Sequence, residues 1–241
     1  IGLEIHVQLA TARKLFCADA ARLGEPNSHV CPVCLGLPGA LPVLDPAAVE
    51  LAVRAALGLG CVVNAQSIFE RKSYFYPDLP KGYQITQQAS PLATGGRLEF
   101  RSEQGARCVT LRRIHLEEDA GRLLHDMFED RTAIDLNRAG VALIEIVTEP
   151  ELRTPTDARA FLVRLRQTLR YLGVSECDME NGTLRVDANV SVAGADGATP
   201  RVELKNLNSF AYVEAALRHE IERQREQRSA GLVSSDETRS W

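Results

Sequence analysis

Three short segments of the chain alternate apolar residues with polar ones, and each polar set combines a carboxylate with basic or amide side chains. An alternation of period two predicts β-strands that have one apolar face and one polar face. Carboxylates on one face repel each other unless a cation lies between them, so this face is predicted to bind magnesium and handle phosphate. The segments are 1–9, 183–192 and 201–205, and their polar faces carry Glu4, His6, Arg185, Asp187, Glu203 and Lys205.

The order of the elements indicates the fold class. Helices are predicted to begin after Asp45, after Thr154 and near Ser209, and proline follows the first two of these residues. Strands come in groups between the helices and do not alternate with them. This grouping predicts an α+β fold with a mainly antiparallel sheet and flanking helices. Further strands are predicted at 97–102, 108–118 and 141–148.

Composition excludes several classes of protein. With 45% hydrophobic and 25% charged residues, the 241-residue chain is predicted to be soluble and globular. No segment has the length of a membrane span and no signal sequence is visible, so the cytoplasm is the expected location. The net charge of −4 argues against bulk electrostatic binding of nucleic acid, although a local arginine face is compatible with RNA contact. The polar segment 237–241 predicts no closing element, so an incomplete C-terminus is expected.

Residues 71–87 concentrate three of the five tyrosines of the chain and two of its few lysines. Since lysine is scarce, the remaining lysines are candidates for contacts that need a compact ammonium, such as a nucleotide phosphate. One hypothesis is a stiffened loop that presents Lys81 to phosphates, with Tyr83 or Tyr74 beside a base or ribose. The other is a structural loop lined by aromatic rings, and the residues alone favour neither.

Other acids have both a functional and a structural interpretation. Glu117, Glu118 and Asp119 end a predicted strand, where a bulge could aim more than one at the polar face, but such runs are also typical of acidic turns. Glu145 lies in an apolar strand, where a carboxylate is costly unless it pairs with an arginine or serves as a ligand or base. His6 by itself is more typical of a partly buried imidazole than of a ligand.

Cysteines form a second cluster of candidate ligands. Cys31 and Cys34 have the Cys-x-x-Cys spacing of half a structural zinc site, and Cys17 could reach them from the preceding loop. Asp19 or His29 would have to supply the fourth ligand. The remaining cysteines are predicted to be core residues, and no disulfide framework is expected. They are Cys61, Cys108 and Cys177.

Nine sequence blocks, in one order along nearly the whole chain, resemble the B-subunit family of the tRNA-dependent glutamate and aspartate amidotransferases. Several long blocks in one order are more specific than any single motif. The blocks are IGLEIHVQL at 1–9, CPVCLGLPG at 31–39, RKSYFYPD at 71–78, KGYQITQ at 81–87, HLEEDAG at 115–121, DLNRAG at 135–140, LIEIVTEP at 143–150, LRVDANVS at 184–191 and VELKNLNSF at 202–210.

This resemblance implies a reaction and a fold. In that family the B subunit uses ATP and magnesium to phosphorylate the side-chain carboxylate of Glu or Asp misacylated onto the tRNA for Gln or Asn. Ammonia released from glutamine by the A subunit then displaces the phosphate, and a C subunit completes the heterotrimer. The implied fold over residues 1–241 is a cradle domain related to glutamine synthetase. Whether Glu-tRNA, Asp-tRNA or both are used stays open.

The site residues follow from the resemblance by position. It implies a catalytic set of Glu4, His6, Glu117, Glu118 and Asp187. The implied magnesium ligands within this set are Glu4, His6, Glu118 and Asp187, with Glu117 as the alternate for Glu118. The implied nucleotide contacts are Lys81, Tyr83, Arg185 and Lys205, and the implied zinc ligands are Cys17, Asp19, Cys31 and Cys34.

The chain departs from the family pattern at two points. Zinc-bearing members have a Cys-x-Cys where this chain has Cys17-Ala-Asp19, so either Asp19 binds zinc through oxygen or zinc is weak or absent. Members also continue past the equivalent of Trp241 with the rest of the cradle, a helical domain and a tail domain that engages tRNA.

Two other functions are compatible with the same residues. One is a glutamine synthetase-like ligase that phosphorylates a free amino acid and needs similar acids and the same metal. The other is a zinc-stabilised RNA-binding module without catalysis, for which the acidic strand faces would be structural. The negative net charge counts against the second alternative.

Overall fold

The computed structural model describes residues 1–22, 24–194, 197–232 and 235–241. Its elements confirm the predicted α+β class and the mainly antiparallel sheet. The helices are α1 (Pro32–Leu35), α2 (Pro46–Gly58), α3 (Pro155–Tyr171) and α4 (Phe210–Ser229). The strands are β1 (Gly2–Gln8), β2 (Val62–Val63), β3 (Glu70–Ser73), β4 (Tyr83–Thr86), β5 (Ala93–Thr94), β6 (Arg97–Ser102), β7 (Gly105–Glu118), β8 (Arg122–Leu124), β9 (Ala133–Asp135), β10 (Ala142–Thr148), β11 (Leu184–Val190), β12 (Ala193–Gly194), β13 (Gly197–Ala198), β14 (Val202–Lys205) and β15 (Glu237–Ser240).

One large sheet organises the described residues. Its strand order is β15-β14-β11-β1-β10-β7-β5-β2, with β6 paired to β7 outside this path. Every pairing in it is antiparallel except that of β14 with β15. Strand β1 lies in the interior of the sheet between β10 and β11, so its polar face is flanked by both of these strands.

The other face of the sheet forms the hydrophobic core. Alternate residues of β1 and β11 are buried, as the period of two predicts, and α3 and α4 pack against the sheet and each other. Phe161 of α3 is fully buried and meets Phe100 of β6 edge to face, with ring centroids 5.8 Å apart. Burial of such side chains contributes roughly 1.5–3 kcal/mol each. The apolar side chains of the alternating strands therefore pack in the core, and the polar side chains on the other face of the sheet are available for other contacts.

Each of the three long helices begins where its capping residue predicts. Asp45 accepts a hydrogen bond from the backbone of Ala47 at 3.2 Å. Thr154 accepts one from Asp157 at 3.1 Å, and Ser209 caps α4 in the same way. These bonds satisfy backbone donors that the first helical turn leaves without partners.

Two details differ from the sequence predictions. The polar segment 237–241 contains an edge strand, β15, because Thr238 bonds to Glu203 and Arg239 lies 3.5 Å from Glu220. Cys61 and Cys177 are buried as predicted, but Cys108 is exposed, since it lies on the part of β7 that pairs only with β6.

Among the described residues no helix combines the length and the apolar character needed to cross a membrane.

Replacing Glu220 with glutamine is expected to destabilise the fold in a pH-dependent way. Burial raises the pKa of Glu220, but hydrogen bonds from Arg223 and Gln224 outweigh it, so the pKa lies below its ordinary value. The carboxylate therefore stabilises the fold above the unfolded-state pKa of about 4.3, and this contribution disappears as the pH falls through the lower folded-state pKa. Urea unfolding at several pH values measures the difference.

The exposed neighbour on α4 provides a matched control for Glu220. Glu222→Gln changes the same charge on the same helix, so its unfolding free energy should follow that of the wild type at every pH. A Glu220→Gln deficit that persisted undiminished at low pH would contradict the assignment of the effect to the carboxylate.

Candidate active site on the polar face of the sheet

The polar face of the sheet forms the floor of a cleft of about 420 Å³. Strands β1, β7, β10, β11 and β14 all contribute to this floor, and the β3–β4 hairpin contributes a wall. The polar and charged side chains of the floor are Glu4, His6, Arg113, His115, Glu117, Glu145, Arg185, Asp187, Glu203 and Lys205.

Strand register explains how distant segments meet here. Residues that lie opposite one another in an antiparallel pair share a face of the sheet. His6 lies opposite Glu145 on one side and opposite Arg185 on the other. Glu145 in turn lies opposite His115, and Glu4 lies opposite Asp187. The alternation in each segment therefore becomes a continuous polar surface.

Four of these side chains form what we call the imidazole–carboxylate cluster: His6, His115, Glu117 and Glu145. The Nε2 atom of His6 lies 3.3 Å from Glu117 Oε1 and 3.7 Å from Glu145 Oε2. The Nε2 atom of His115 lies 3.1 Å from Glu145 Oε2 and 3.5 Å from Glu117 Oε2. One atom from each of His6, Glu117 and Glu145 lies within 4.8 Å of the others, a spacing that a shared metal ion can bridge.

The pKa values show which charges this cluster favours. Burial raises the pKa of Glu145, but the hydrogen bond to His115 and the charges of both histidines outweigh it and lower the pKa to about 2. Burial lowers the pKa of His115, but its bonds to Glu117 and Glu145 outweigh that effect and leave the pKa above its ordinary value. Glu145 is therefore ionised at neutral pH although its side chain is nearly buried.

A second acidic group lies on β1, β11 and β14. Glu4 accepts a hydrogen bond from the amide of Asn189 at 3.0 Å. Asp187 accepts one from Lys205 at 3.1 Å, and Lys205 also contacts Glu203 at 3.0 Å. Burial lowers the pKa of Lys205, but these two carboxylates outweigh it and raise the pKa. Lys205 is thus a charged ammonium at the edge of the cleft.

Arg185 supplies a second cation, and Asp119 holds it in place. Its two terminal nitrogens donate to the two carboxylate oxygens of Asp119 at 3.0 and 2.9 Å. Burial lowers the pKa of Arg185, but the Asp119 charge outweighs it and raises the pKa. Asp119 also lies 3.4 Å from Arg138. The bidentate pairing of Arg185 with Asp119 fixes the plane of the guanidinium as well as its position.

Three of the predicted site residues, Glu118, Lys81 and Tyr83, lie outside the cleft lining. Glu118 is 2% exposed, and its carboxylate accepts hydrogen bonds from Lys81 and from the backbone of Ile85. Tyr83 lies under Arg71, whose guanidinium carbon is 4.6 Å from the ring centroid. Neighbours on a strand point to opposite faces, so Glu117 and Glu118 cannot both face the cleft. The structure places Glu117, the alternate, beside His6.

The cleft also contains groups that the predicted set omits. Glu145, His115 and Asp119 all occur in the motifs singled out above, but only strand register shows that they converge. For Glu145, the signal in the sequence was a single carboxylate within an otherwise apolar strand. Nothing in the local sequence of Asp119 indicates its pairing with Arg185, which lies 66 residues away.

The cysteine cluster brings together all four predicted ligands. The sulfur of Cys34 lies 3.7 Å from that of Cys17, 3.8 Å from that of Cys31 and 3.2 Å from a carboxylate oxygen of Asp19. One ligand atom from each of the four lies within 4.8 Å of the others. His29 contributes its backbone carbonyl to Lys14 instead. Three thiols and one carboxylate at this spacing match the ligand types of a tetrahedral zinc site.

Lys14 is buried beside this cluster. Its side chain is 0% exposed, and its ammonium donates to Cys34 Sγ at 3.2 Å, to the His29 carbonyl at 2.7 Å and to the Leu136 carbonyl at 3.4 Å. The hydrogen bond from Cys17 and, to a smaller extent, the Lys14 charge together outweigh the effect of burial and lower the pKa of Cys34 to about 6. The same bond raises the pKa of Cys17. The cluster therefore favours a thiolate, the form that binds metals.

A family model described as the GatB/GatE catalytic domain matches residues 1–241. The chain belongs to this family. Curated relatives that are named as the B subunit of aspartyl/glutamyl-tRNA(Asn/Gln) amidotransferase match the whole chain. The one from Thermomicrobium roseum is 53% identical, and those from Caldanaerobacter subterraneus subsp. tengcongensis and Chlorobaculum tepidum are each 51% identical.

The extent of these matches confirms the family membership predicted from the nine blocks. The alignments cover 100% of this GatB/GatE catalytic domain and 51% of each of the three relatives. The chain therefore spans about half the length of the curated relatives it matches. Both the polar cleft and the cysteine cluster lie inside the matched region.

Proposed function

We propose that this domain phosphorylates the side-chain carboxylate of glutamate or aspartate carried by a misacylated tRNA, with ATP as the phosphate donor. Ammonia from a partner glutaminase subunit then converts the product to the amide. The name of the relatives, which describes an aspartyl/glutamyl-tRNA(Asn/Gln) amidotransferase, supports the substrate class. The structural observation that carries the proposal is the imidazole–carboxylate cluster, with Arg185 and Lys205 beside it in one cleft.

The reaction needs charge to be gathered and neutralised. A carboxylate oxygen of the substrate attacks the γ-phosphorus of ATP, the bond to the bridging oxygen breaks, and ADP leaves with the bonding electrons. Ammonia then attacks the activated carbonyl carbon and phosphate leaves, so the nucleophiles come from the substrates and not from this chain. Bound magnesium would neutralise the phosphate charge that develops in the first step.

The ionised carboxylates of the cleft fit magnesium by ligand type. Glu145 keeps its charge at neutral pH, and carboxylate oxygens are the ligands that magnesium prefers. We assign Glu117, Glu145 and His6 to one cation position and Glu4 with Asp187 to a second. Arg185 and Lys205 are assigned to the phosphates, with Asp119 orienting Arg185. Glu118, Lys81 and Tyr83 would act by supporting the wall of the cleft.

The fold and assembly proposed for the whole protein follow from the family. The proposed fold of residues 1–241 is the cradle domain related to glutamine synthetase, with helical and tail domains in the remainder of the full-length protein. The proposed partners are the A and C subunits and misacylated tRNA, and the proposed location is the cytoplasm. A structural zinc ion would be held by Cys17, Asp19, Cys31 and Cys34.

The test is ATP hydrolysis by the full-length protein assembled with its partner subunits, with and without misacylated Glu-tRNA or Asp-tRNA. We expect the charged tRNA to stimulate ADP release. Asp187→Asn should lower the stimulated rate by about 10- to 100-fold. Glu149→Gln removes a half-buried acid that pairs with Arg112 outside the cleft, and should leave the rate unchanged.

Amidation and RNA-binding measurements on the same assembly distinguish the alternatives. ATP-dependent amidation of free glutamate without tRNA would replace the proposal with a glutamine synthetase-like ligase. RNA binding without ATP hydrolysis, and insensitive to replacement of Glu4 and Asp187, would replace it with a non-catalytic RNA-binding module. A wild-type rate that responds to tRNA together with an unaffected Asp187→Asn variant would overturn the assignment of the site.

A further inference from the structure

The loop at 74–82 joins β3 to β4 and is held rigidly. The backbone of Tyr74 donates to the Gly82 carbonyl at 3.1 Å, and that of Gly82 donates to Leu79 at 3.0 Å. The Leu79 side chain is buried, and the Asp78 carbonyl accepts a hydrogen bond from Gly121 at 2.8 Å. The loop therefore has a fixed shape, tied both to itself and to the segment that follows β7.

This rigid loop nevertheless exposes two aromatic rings. Phe75 is 88% exposed and Tyr76 is 62% exposed. The Phe75 ring lies against Gly82, where an added Cβ would be 3.1 Å from the ring, and the positive φ of Gly82 also favours glycine there. The Tyr76 ring meets Tyr74 edge to face, with centroids 6.2 Å apart. Large rings held in place and left open to solvent are typical of a binding surface.

Two cations, Lys72 and Arg71, lie against the rings at the base of this hairpin. Lys72 lies 6.0 Å from the centroid of Tyr74, and both residues line the polar cleft. Arg71 lies over Tyr83 at 4.6 Å, on the other side of the hairpin base. Cations that hold phosphates, together with rings on which bases stack, are the combination that binds single-stranded nucleic acids. The loop thus adds exposed aromatic rings to the charged floor of the cleft that it borders.

We infer that Phe75 and Tyr76 stack on unpaired bases of the 3′ acceptor end of the tRNA, with Lys72 contacting its phosphates. The inference rests on the proposed function and identifies the surface that would hold that substrate. The reacting amino acid is attached to the ribose of the terminal nucleotide, so the last bases must lie at the mouth of the cleft when its carboxylate lies inside. Phe75 and Tyr76 lie in sequence directly after a residue that lines that cleft.

The experiment measures tRNA binding by fluorescence anisotropy, without ATP or magnesium, using the full-length protein assembled with its partner subunits. Intact tRNA is compared with the same tRNA lacking its unpaired 3′ nucleotides. We expect Phe75→Ala and Tyr76→Ala each to raise the Kd for intact tRNA about fivefold or more, since stacking on one base contributes about 1–3 kcal/mol. Neither variant should change the Kd for the shortened tRNA.

The matched control is Tyr171→Ala, which removes a 93% exposed ring from α3, the helix that packs on the opposite face of the sheet. It should leave both Kd values unchanged. Equal weakening of intact and shortened tRNA by Phe75→Ala would overturn the inference, because the ring would then contact RNA elsewhere. Unchanged Kd values with dissociation of the subunits on size-exclusion chromatography would also overturn it, and would identify the loop as a protein interface.

Failure of this inference is distinguishable from failure of the proposed function, because binding is measured without the reaction. If tRNA binding depends on Phe75 and Tyr76 but the protein shows no tRNA-stimulated ATP hydrolysis, the loop contact is supported and the proposed reaction is overturned. Stimulated hydrolysis, together with tRNA binding that does not depend on Phe75 or Tyr76, would overturn the loop contact alone.

Discussion

Under the proposed function, Glu117→Gln is expected to lower the tRNA-stimulated rate of ATP hydrolysis by the assembled full-length protein about 100-fold or more while leaving the protein folded. Its neighbour should behave in the opposite way. Glu118→Gln leaves the buried ammonium of Lys81 without its charged partner, which costs about 3–5 kcal/mol of unfolding free energy. The two changes are chemically identical and one residue apart. Any difference between them therefore reports the face of the strand that each residue occupies.

Urea denaturation and steady-state kinetics on both variants measure the two effects separately. Lys81→Met provides a further comparison, because it removes the other member of the buried pair and should destabilise the fold as Glu118→Gln does. A large kinetic loss in Glu118→Gln with unchanged stability would restore Glu118 as the ligand and argue against the arrangement of the imidazole–carboxylate cluster.

Lys14→Met is expected to destabilise the protein by about 3 kcal/mol, although methionine has a similar volume and is apolar. The ammonium is fully buried, and its loss leaves the His29 and Leu136 carbonyls and the Cys34 sulfur without their donor. The same change removes a positive charge that lowers the pKa of Cys34, so occupancy of the proposed zinc site in the purified protein should also fall. Chemical denaturation and elemental analysis measure these two results.

The control for Lys14 is the exposed lysine at position 72. Lys72→Met removes the same charge from the surface, so the unfolding free energy should change by no more than about 0.5 kcal/mol. Full stability in Lys14→Met would show that water or a rearranged side chain satisfies the freed acceptors. In that case the ammonium would have no part in holding the cysteine cluster.

Much of the fold was predictable because its signals are local. The period of two in segments 1–9 and 183–192 fixes which side chains face the core, and helix caps at Asp45 and Thr154 mark where helices begin. The edge strand β15 was missed since its polar sequence carries no apolar face. It is stabilised by pairing with β14 and by contacts to Glu220 and Glu203, none of which is local.

The composition of the candidate site was harder to predict, because it depends on register and on the direction of individual side chains. Sequence spacing shows that Glu117 and Glu118 face opposite ways, but not which of them faces His6. That choice depends on the register of β7 with β10, which places His115 opposite Glu145 and so puts Glu117, two residues further on, on the same face as His6. The cysteine cluster was more predictable, since its four ligands lie close together in the sequence, between positions 17 and 34.

The interior position of β1 has a consequence for the order in which the protein is made. During synthesis β1 precedes both of its hydrogen-bonded neighbours, and its far partner ends at Val190. At roughly 5–20 residues per second, β1 waits on the order of 10 to 40 seconds for its second partner. Both of its edges are open until β10 is made, and the edge that pairs with β11 stays open for the whole interval. An open strand edge is a template for aggregation. Protection of β1 during synthesis is therefore expected to raise the yield of folded protein.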